Sequence, residues 1–349
     1  MADRAAMGEA PGRQARPGNK GPNTGPSRNG RDIYGALDLG TNNCRLLIAR
    51  PHDTGFTVVD AFSRIVRLGE GMSTRGRLSD RSMDRAVEAL SVCADKLRRR
   101  HVSLSRSVAT EACRRAVNGR HFVDRVRKQT GIALEIISPQ EEAKLAVLGC
   151  HKLLEPGDGP ALIFDIGGGS TELVLVEPGE ENPRIRAWWS APWGVVSLTE
   201  SEGREAIDGP DRMAAYGRMR ERVVRSFARF VEMLPEGRDN ARLLGTSGTV
   251  TTLASVHLSL PVYDRRQIDG LHVGSEDMRR IARMMAEYDH PQRCAVPCIG
   301  AERADLVVAG CAILEAILDI WPAEKLGIAD RGIREGILRS LMARDGYQL

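Results

Sequence analysis

Two short stretches of this chain have the residue types to hold a phosphate. Ala36-Leu37-Asp38-Leu39 runs into Gly40-Thr41-Asn42-Asn43, and Ile163-Phe164-Asp165-Ile166 runs into Gly167-Gly168-Gly169-Ser170. In each, an apolar strand carries an Asp just before a turn whose glycine lets an anion approach the backbone N–H groups closely. Either stretch alone also reads as an ordinary hairpin turn. They stand in register 127 residues apart, counting Asp38 to Asp165, and a further apolar strand follows each, at 46–49 and 173–176. That echo points to a duplicated fold with one ligand held between its halves. A third stretch, Gly245-Thr246-Ser247-Gly248-Thr249, leads from an apolar strand into a helix. Its N–H groups, that of Gly248 included, could add to an anion site through the helix dipole, although taken alone it reads first as an ordinary N-cap.

Water attack on a bound phosphate needs a base, and Ser138-Pro139-Gln140-Glu141-Glu142 offers one. Ser138 suits an N-cap, Pro139 the first helical position, and Glu141 the reciprocal place in a capping box. Glu142 has no such structural task. The residues three and four further on, Leu145 and Ala146, make its face apolar, so its carboxylate should be partly desolvated and its pKa raised toward the range of a general base. The competing reading is a first-turn acid that serves the helix dipole. Asp165 and Glu172 flank the second turn, where one or two carboxylates with phosphate oxygens would make a Mg²⁺ site. Cations must balance the substrate. Arg114, just beyond a strand end, is the first candidate, with Arg45 and Arg303 next.

Positioning these groups requires an α/β chain. Strands are expected at 33–39, 45–50, 56–62, 107–110, 134–137, 161–166, 172–176, 186–190 and 242–245, with helices between them. Met83, Val87, Leu90, Ala94 and Leu97 repeat at helical spacing, as do Met213, Tyr216, Met219, Val223, Phe227 and Phe230, which makes two core-facing helices. Residues 1–30 are rich in Gly, Pro and basic side chains and read as a disordered tail. They carry three of the four net positive charges, so the rest of the chain is nearly neutral and lacks the basic excess of a dedicated nucleic-acid binder. No stretch is apolar for long enough to span a bilayer, and the seven cysteines are scattered, which fits a reducing cytoplasm. Cys294 and Cys298, four apart, are read as an incidental pair.

Taken in order, Ala36 to Asn43, Ala109-Thr110 with Arg114, Ser138 to Leu145, Phe164 to Glu172, Gly245 to Gly248, Glu302-Arg303-Ala304-Asp305 and Ala329 to Gly336 resemble the exopolyphosphatase and guanosine pentaphosphate phosphohydrolase family. The resemblance runs from about residue 33 to 341. It implies two actin-like, ribonuclease-H-like domains with the site in the cleft between them. The boundaries would be 31–143, joined by the C-terminal helix 331–349, and 144–330. It also implies hydrolysis of the terminal phosphoanhydride of polyphosphate or guanosine pentaphosphate, a link through that nucleotide to the stringent response, Mg²⁺ with a monovalent cation such as K⁺ as a further candidate, and a homodimer. By position, Glu142 resembles the family's catalytic base, Asp165 and Glu172 its metal- and water-positioning acids, and Arg114 and the glycine turns its phosphate ligands. Asn43 and Cys44 depart from the family's commoner Ser and apolar residue. The chain resembles the short, two-domain members. Two other readings compete: an actin-like ATPase or kinase, and a non-enzymatic sensor of guanosine tetraphosphate or polyphosphate.

Overall fold

A computed structural model describes residues 32–53, 55–177, 183–237 and 240–347. The expected tail at 1–30 lies outside them. Within them are two sheets. The first has the order β3-β2-β1-β4-β5, built from β1 (Tyr34–Leu39), β2 (Asn43–His52), β3 (Gly55–Ile65), β4 (Leu104–Ala109) and β5 (Leu134–Ile136). The second has the order β10-β11-β9-β6-β7-β8, from β6 (Ala161–Ile166), β7 (Thr171–Glu177), β8 (Arg184–Ala191), β9 (Arg242–Thr246), β10 (His272–Gly274) and β11 (Lys325–Ala329).

The duplication expected from the echo is visible in the topology. In each sheet the first three strands form an antiparallel meander, and the first strand pairs in parallel with the next one in the chain, β4 or β9. Asp38 and Asp165 occupy the same place on β1 and β6, and their cross-strand partners are Arg45 and Glu172. The sequence reading missed β10 and β11. Lys325–Ala329 is a short run in which every residue after Lys325 is buried, so no alternation marks it.

Each sheet is covered on both faces, as parallel strands require. The outer face of the first sheet packs on the helix Asp80–Arg99, whose Met83, Leu90 and Ala94 are buried as its period predicts, and on Gly119–Thr130. The second sheet's outer face carries Arg212–Ser226, Gly248–His257, Ser275–Glu287 and Val307–Ile320. Tyr216, Met219 and Val223 face that core as expected, while Met213 is exposed. Val307–Ile320 is buried almost all round, which explains why its apolar run shows no helical period.

Two helices fill the space between the sheets. Ile333–Arg344 lies on β1, β2 and β4 of the first sheet, and Pro139–Cys150 lies on β6, β7 and β8 of the second. Pro139–Cys150 runs unbroken through residues 143 and 144. Its Leu145 and Ala146 join one core with Ile337 and Leu338, while Ala143, Val147 and Cys150 join another with Ile163 and Val174. The two helices meet through glycine: a Cβ added to Gly149 would stand 2.0 Å from the Gly332 carbonyl oxygen, and one on Gly336 would stand 2.0 Å from that of Leu145. A second bridge between the halves is Glu200, which accepts from the Gly71 N–H at 2.6 Å and from the Ser73 hydroxyl at 2.5 Å.

Candidate active site

Between the sheets lies a cavity of about 470 Å³, and both glycine turns open into it. They touch each other. A Cβ on Gly168 would sit 2.9 Å from the Thr41 Cβ, and one on Gly169 would sit 2.8 Å from the Thr41 hydroxyl and from the Glu111 Cγ. Each turn is closed by the same bond, Gly40 N–H to the Asn43 carbonyl and Gly167 N–H to the Ser170 carbonyl, both 2.9 Å. Among the described residues, the N–H groups of Thr41, Asn42, Gly168 and Gly169 donate to no protein acceptor, so they are available to an anion. The carbonyls of Gly167 and Gly168 are held by the N–H groups of Val195 and Val196, which fixes the second turn.

The third loop joins the same cavity. Ser247 caps the helix Gly248–His257, its hydroxyl oxygen accepting from Thr249 and Val250. Its φ of 151° lies where a residue with a side chain is strained, at a cost of about 1–3 kcal/mol. Arg45 reaches across to this loop, its guanidinium 3.8 Å from where a Gly248 Cβ would be. Arg303 lines the cavity and donates to the Thr252 hydroxyl at 2.8 Å. Arg64, which the sequence did not single out, stands in the same wall over the Phe62 ring.

Glu142 faces the cavity and is 6% exposed. Its helix begins as expected, with Ser138 accepting from the Glu141 N–H at 3.2 Å and Pro139 at the start. The reciprocal half of the capping box is not formed. Glu141 turns its carboxylate to Arg106, 2.7 Å away, since a charged partner outbids a bond to one backbone N–H. Burial first, and then the charge of Glu172, raises the pKa of Glu142 well above the ordinary carboxylate range, against the pull of Arg114.

Arg114 and Glu172 are not in the cavity wall. Arg114 Nη1 donates to Glu142 Oε2 at 3.0 Å and to the Ile137 carbonyl at 2.8 Å, while Nη2 donates to Glu111 at 2.6 Å. Its charge is thus spent on two buried carboxylates that sit between it and the open space. Glu172 accepts from the Ser170 and Ser190 hydroxyls at 2.8 and 2.9 Å. Asp165 does line the cavity, and so does its counterpart Asp38. Burial pushes Asp165 and Glu172 up to about 7 and also raises Asp38, with neighbouring carboxylates adding to the shift and Arg45 opposing it at both aspartates. Glu111 is a wall residue that the sequence reading passed over in favour of Arg114, although both belong to the turn after β4.

A divalent cation finds a limited donor set here. Among the described residues no three Asp, Glu, His or Cys converge as metal ligands. Asp38 Oδ1 and Asn42 Oδ1 are nevertheless buried without a hydrogen-bond partner beside Asp165. Two carboxylates and open space suit Mg²⁺, which keeps waters and takes its other ligands from substrate phosphates. Cys294 and Cys298 do not pair: Cys298 donates to the Leu260 carbonyl and Cys294 packs on His290. No helix among the described residues is long and apolar enough to cross a membrane.

Residues 47–345 match the model of the Ppx/GppA phosphatase family. Exopolyphosphatase 2 of Mycobacterium tuberculosis is 31% identical over 323 residues, covering 88% of this chain and 97% of the relative. Guanosine-5'-triphosphate,3'-diphosphate pyrophosphatase of Aeromonas hydrophila is 28% identical over 319 residues, which are 90% of this chain and 60% of that protein. The solved structure of the Aquifex aeolicus Ppx/GppA family member superposes with a TM-score of 0.73 at 26% identity, covering 91% of this chain and 99% of that one. The duplicated sheets, the paired glycine turns and these matches agree, and the chain belongs to the Ppx/GppA phosphatase family, with its actin-like two-domain fold.

Proposed function

We propose that this chain is a phosphoanhydride hydrolase that releases the terminal phosphate of inorganic polyphosphate or guanosine pentaphosphate. One arrangement supports the reading above all: Glu142, a buried carboxylate of raised pKa, shares a cavity with two turns whose N–H groups have no protein acceptor. The names of relatives in both substrate classes agree with it.

In this reading the N–H groups of Thr41, Asn42, Gly168 and Gly169 hold the oxygens of the terminal phosphate, where they need no reorganisation as charge develops. Glu142 takes the proton of the attacking water. Its raised pKa brings it nearer the pH of the medium, where a general base works best. Arg114 holds Oε2 of Glu142 and so aims the other oxygen, which makes it a positioning residue rather than a phosphate ligand. Arg45 and Arg303 offset the charge of the chain as the anhydride leaves. Mg²⁺, if bound, would be held by Asp165 and Asp38 together with substrate oxygens, and would supply further neutralisation. Glu172 would act behind Asp165 through the charge it adds to the acidic cluster.

Phosphate release is to be measured side by side on polyphosphates of graded length, guanosine pentaphosphate and ATP, for the wild type and for Glu142→Gln. Turnover on the first two substrates that vanishes in the variant supports the reading. Full turnover in the variant, or ATP as the best substrate, overturns it.

A further inference from the structure

Beside the main cavity, sharing Asp38, Arg45, Asp165, Ser247 and Ile333 with it, is a smaller chamber of about 40 Å³. Arg334 lines this chamber and not the larger one. A single water needs about 10–15 Å³ on this scale, so the space admits roughly three oxygen-sized groups. That is enough for the oxygens of one phosphate and too little for a second unit of a chain.

The segment around Arg334 is dense in charge, and its other charged side chains are matched. Arg331 donates to Asp269 at 2.7 Å. Asp330 pairs with Arg265 at 3.3 Å. Glu335 accepts from the Gly332 N–H at 2.9 Å and from Arg265 at 3.3 Å. Arg334 alone of these has no hydrogen bond or ion pair among the described residues. Burial lowers its pKa against the attraction of Glu335, Asp38 and Asp330, so a guanidinium that none of them bonds is costly to keep there. Asp38 shares the chamber yet does not reach it, and Asp38 Oδ1 is itself without a partner.

The chemistry of the ligand follows from the donors. A guanidinium presents a planar fork that fits two oxygens of a phosphate. Arg45 borders both chambers. The Ser247 hydroxyl, whose oxygen already accepts two N–H bonds, keeps its own hydrogen to give.

We propose that Arg334 is a phosphate ligand, whose guanidinium grips the oxygens of the phosphate at the inner end of the cavity. The inference rests on the hydrolase reading for its substrate, but not for its binding test. The phosphate has two possible sources: the terminal group of the bound chain, or the orthophosphate set free.

The test uses the full chain, with inorganic phosphate and tripolyphosphate as probes and Arg334→Gln as the variant. Loss of one charge-assisted grip should weaken binding by about tenfold or more. If the source is orthophosphate, its calorimetric affinity and its product inhibition fall while KM for tripolyphosphate stays. If the source is the chain's terminal group, KM rises while orthophosphate affinity stays. Either result supports the proposal, and free guanidinium added to Arg334→Ala should restore part of the loss. A folded Arg334→Gln protein with both quantities unchanged overturns it. Should that variant not fold, Arg334→Lys keeps the charge without the fork. It is expected to bind about tenfold more weakly, and unchanged binding overturns the proposal there too. A wild type that binds orthophosphate through Arg334 but cleaves no anhydride keeps the ligand and removes the hydrolase; one that cleaves anhydrides with Arg334→Gln its equal removes the ligand alone.

Discussion

Replacing Asp165 with Asn should make the fold more stable, and by an amount that depends on pH. Burial and the neighbouring Glu142 lift Asp165 from 3.8 to about 7 in the folded chain. A carboxyl whose folded pKa is raised contributes stability that is fully present below its unfolded pKa and is lost as pH rises through the folded value. The shift from 3.8 to about 7, at 1.36 kcal/mol per unit, corresponds to a loss of about 4 kcal/mol above pH 7, as an order of magnitude. At pH 5 only the first unit or so has been forfeited, about 1.6 kcal/mol. Asn does not titrate, so the stability of Asp165→Asn relative to wild type should climb by about 2–3 kcal/mol between pH 5 and pH 8. Urea unfolding at the two pH values measures this, with EDTA present so that no divalent ion masks the carboxylates. A difference between variant and wild type that is the same at both pH values refutes the reasoning, because it would mean that Asp165 is ionised in the folded chain throughout.

Further expectations concern the neighbours of Asp165. Glu142→Gln should lower turnover by about 10²–10⁴, the usual contribution of a general base, while leaving polyphosphate affinity within a few-fold in a pulldown or calorimetric assay. Arg114→Gln leaves the buried Glu111 and Glu142 without their cation and should cost about 3–5 kcal/mol in urea unfolding at pH 8. That cost should shrink as pH falls, because burial favours the protonated form of the orphaned Glu142 and protonation removes its unpaired charge. Gly168→Val would drive its side chain into Thr41 and Asn42, so KM should rise sharply as the two turns part, with melting temperature read alongside to show that the chain is folded. Gly336→Ala overpacks the contact with the Leu145 backbone and should destabilise by about 1–3 kcal/mol.

Much of this arrangement was legible in the residues themselves. The register between Asp38 and Asp165 predicted a duplicated fold with a hairpin in each half, because the same strand, Asp and glycine-bearing turn recur in order where either stretch alone would be ambiguous. Glu142 could be separated from Glu141 because the cap assigned one of them a task and the apolar face assigned the other a direction. What escaped was decided by distant chain. Arg114 read as a free cation since its pairing with Glu111 three residues before was passed over, and nothing nearby in sequence shows that Glu142, 28 positions on, shares its charge. The aim of Glu141 was missed because Arg106 comes from another strand. Arg334 was legible only as one residue of the Ala329 to Gly336 motif: its distinction is the lack of a partner among the described residues, and only the packed structure reveals that.

The glycine contacts between Pro139–Cys150 and Ile333–Arg344 bear on how the two halves can move. Main chain resting on main chain, with no side chain between, resists sliding much as a rivet does, and leaves rotation as the easy motion. Glu142 lies seven residues from Gly149 along its helix, about 10 Å at 1.5 Å per residue. A swing of roughly 10° about that rivet would therefore carry its carboxylate by only about 2 Å. Groups farther from the rivet travel in proportion to their distance, so opening the cleft would spread the outer walls while Glu142, the base in the proposed reading, stays close to its place.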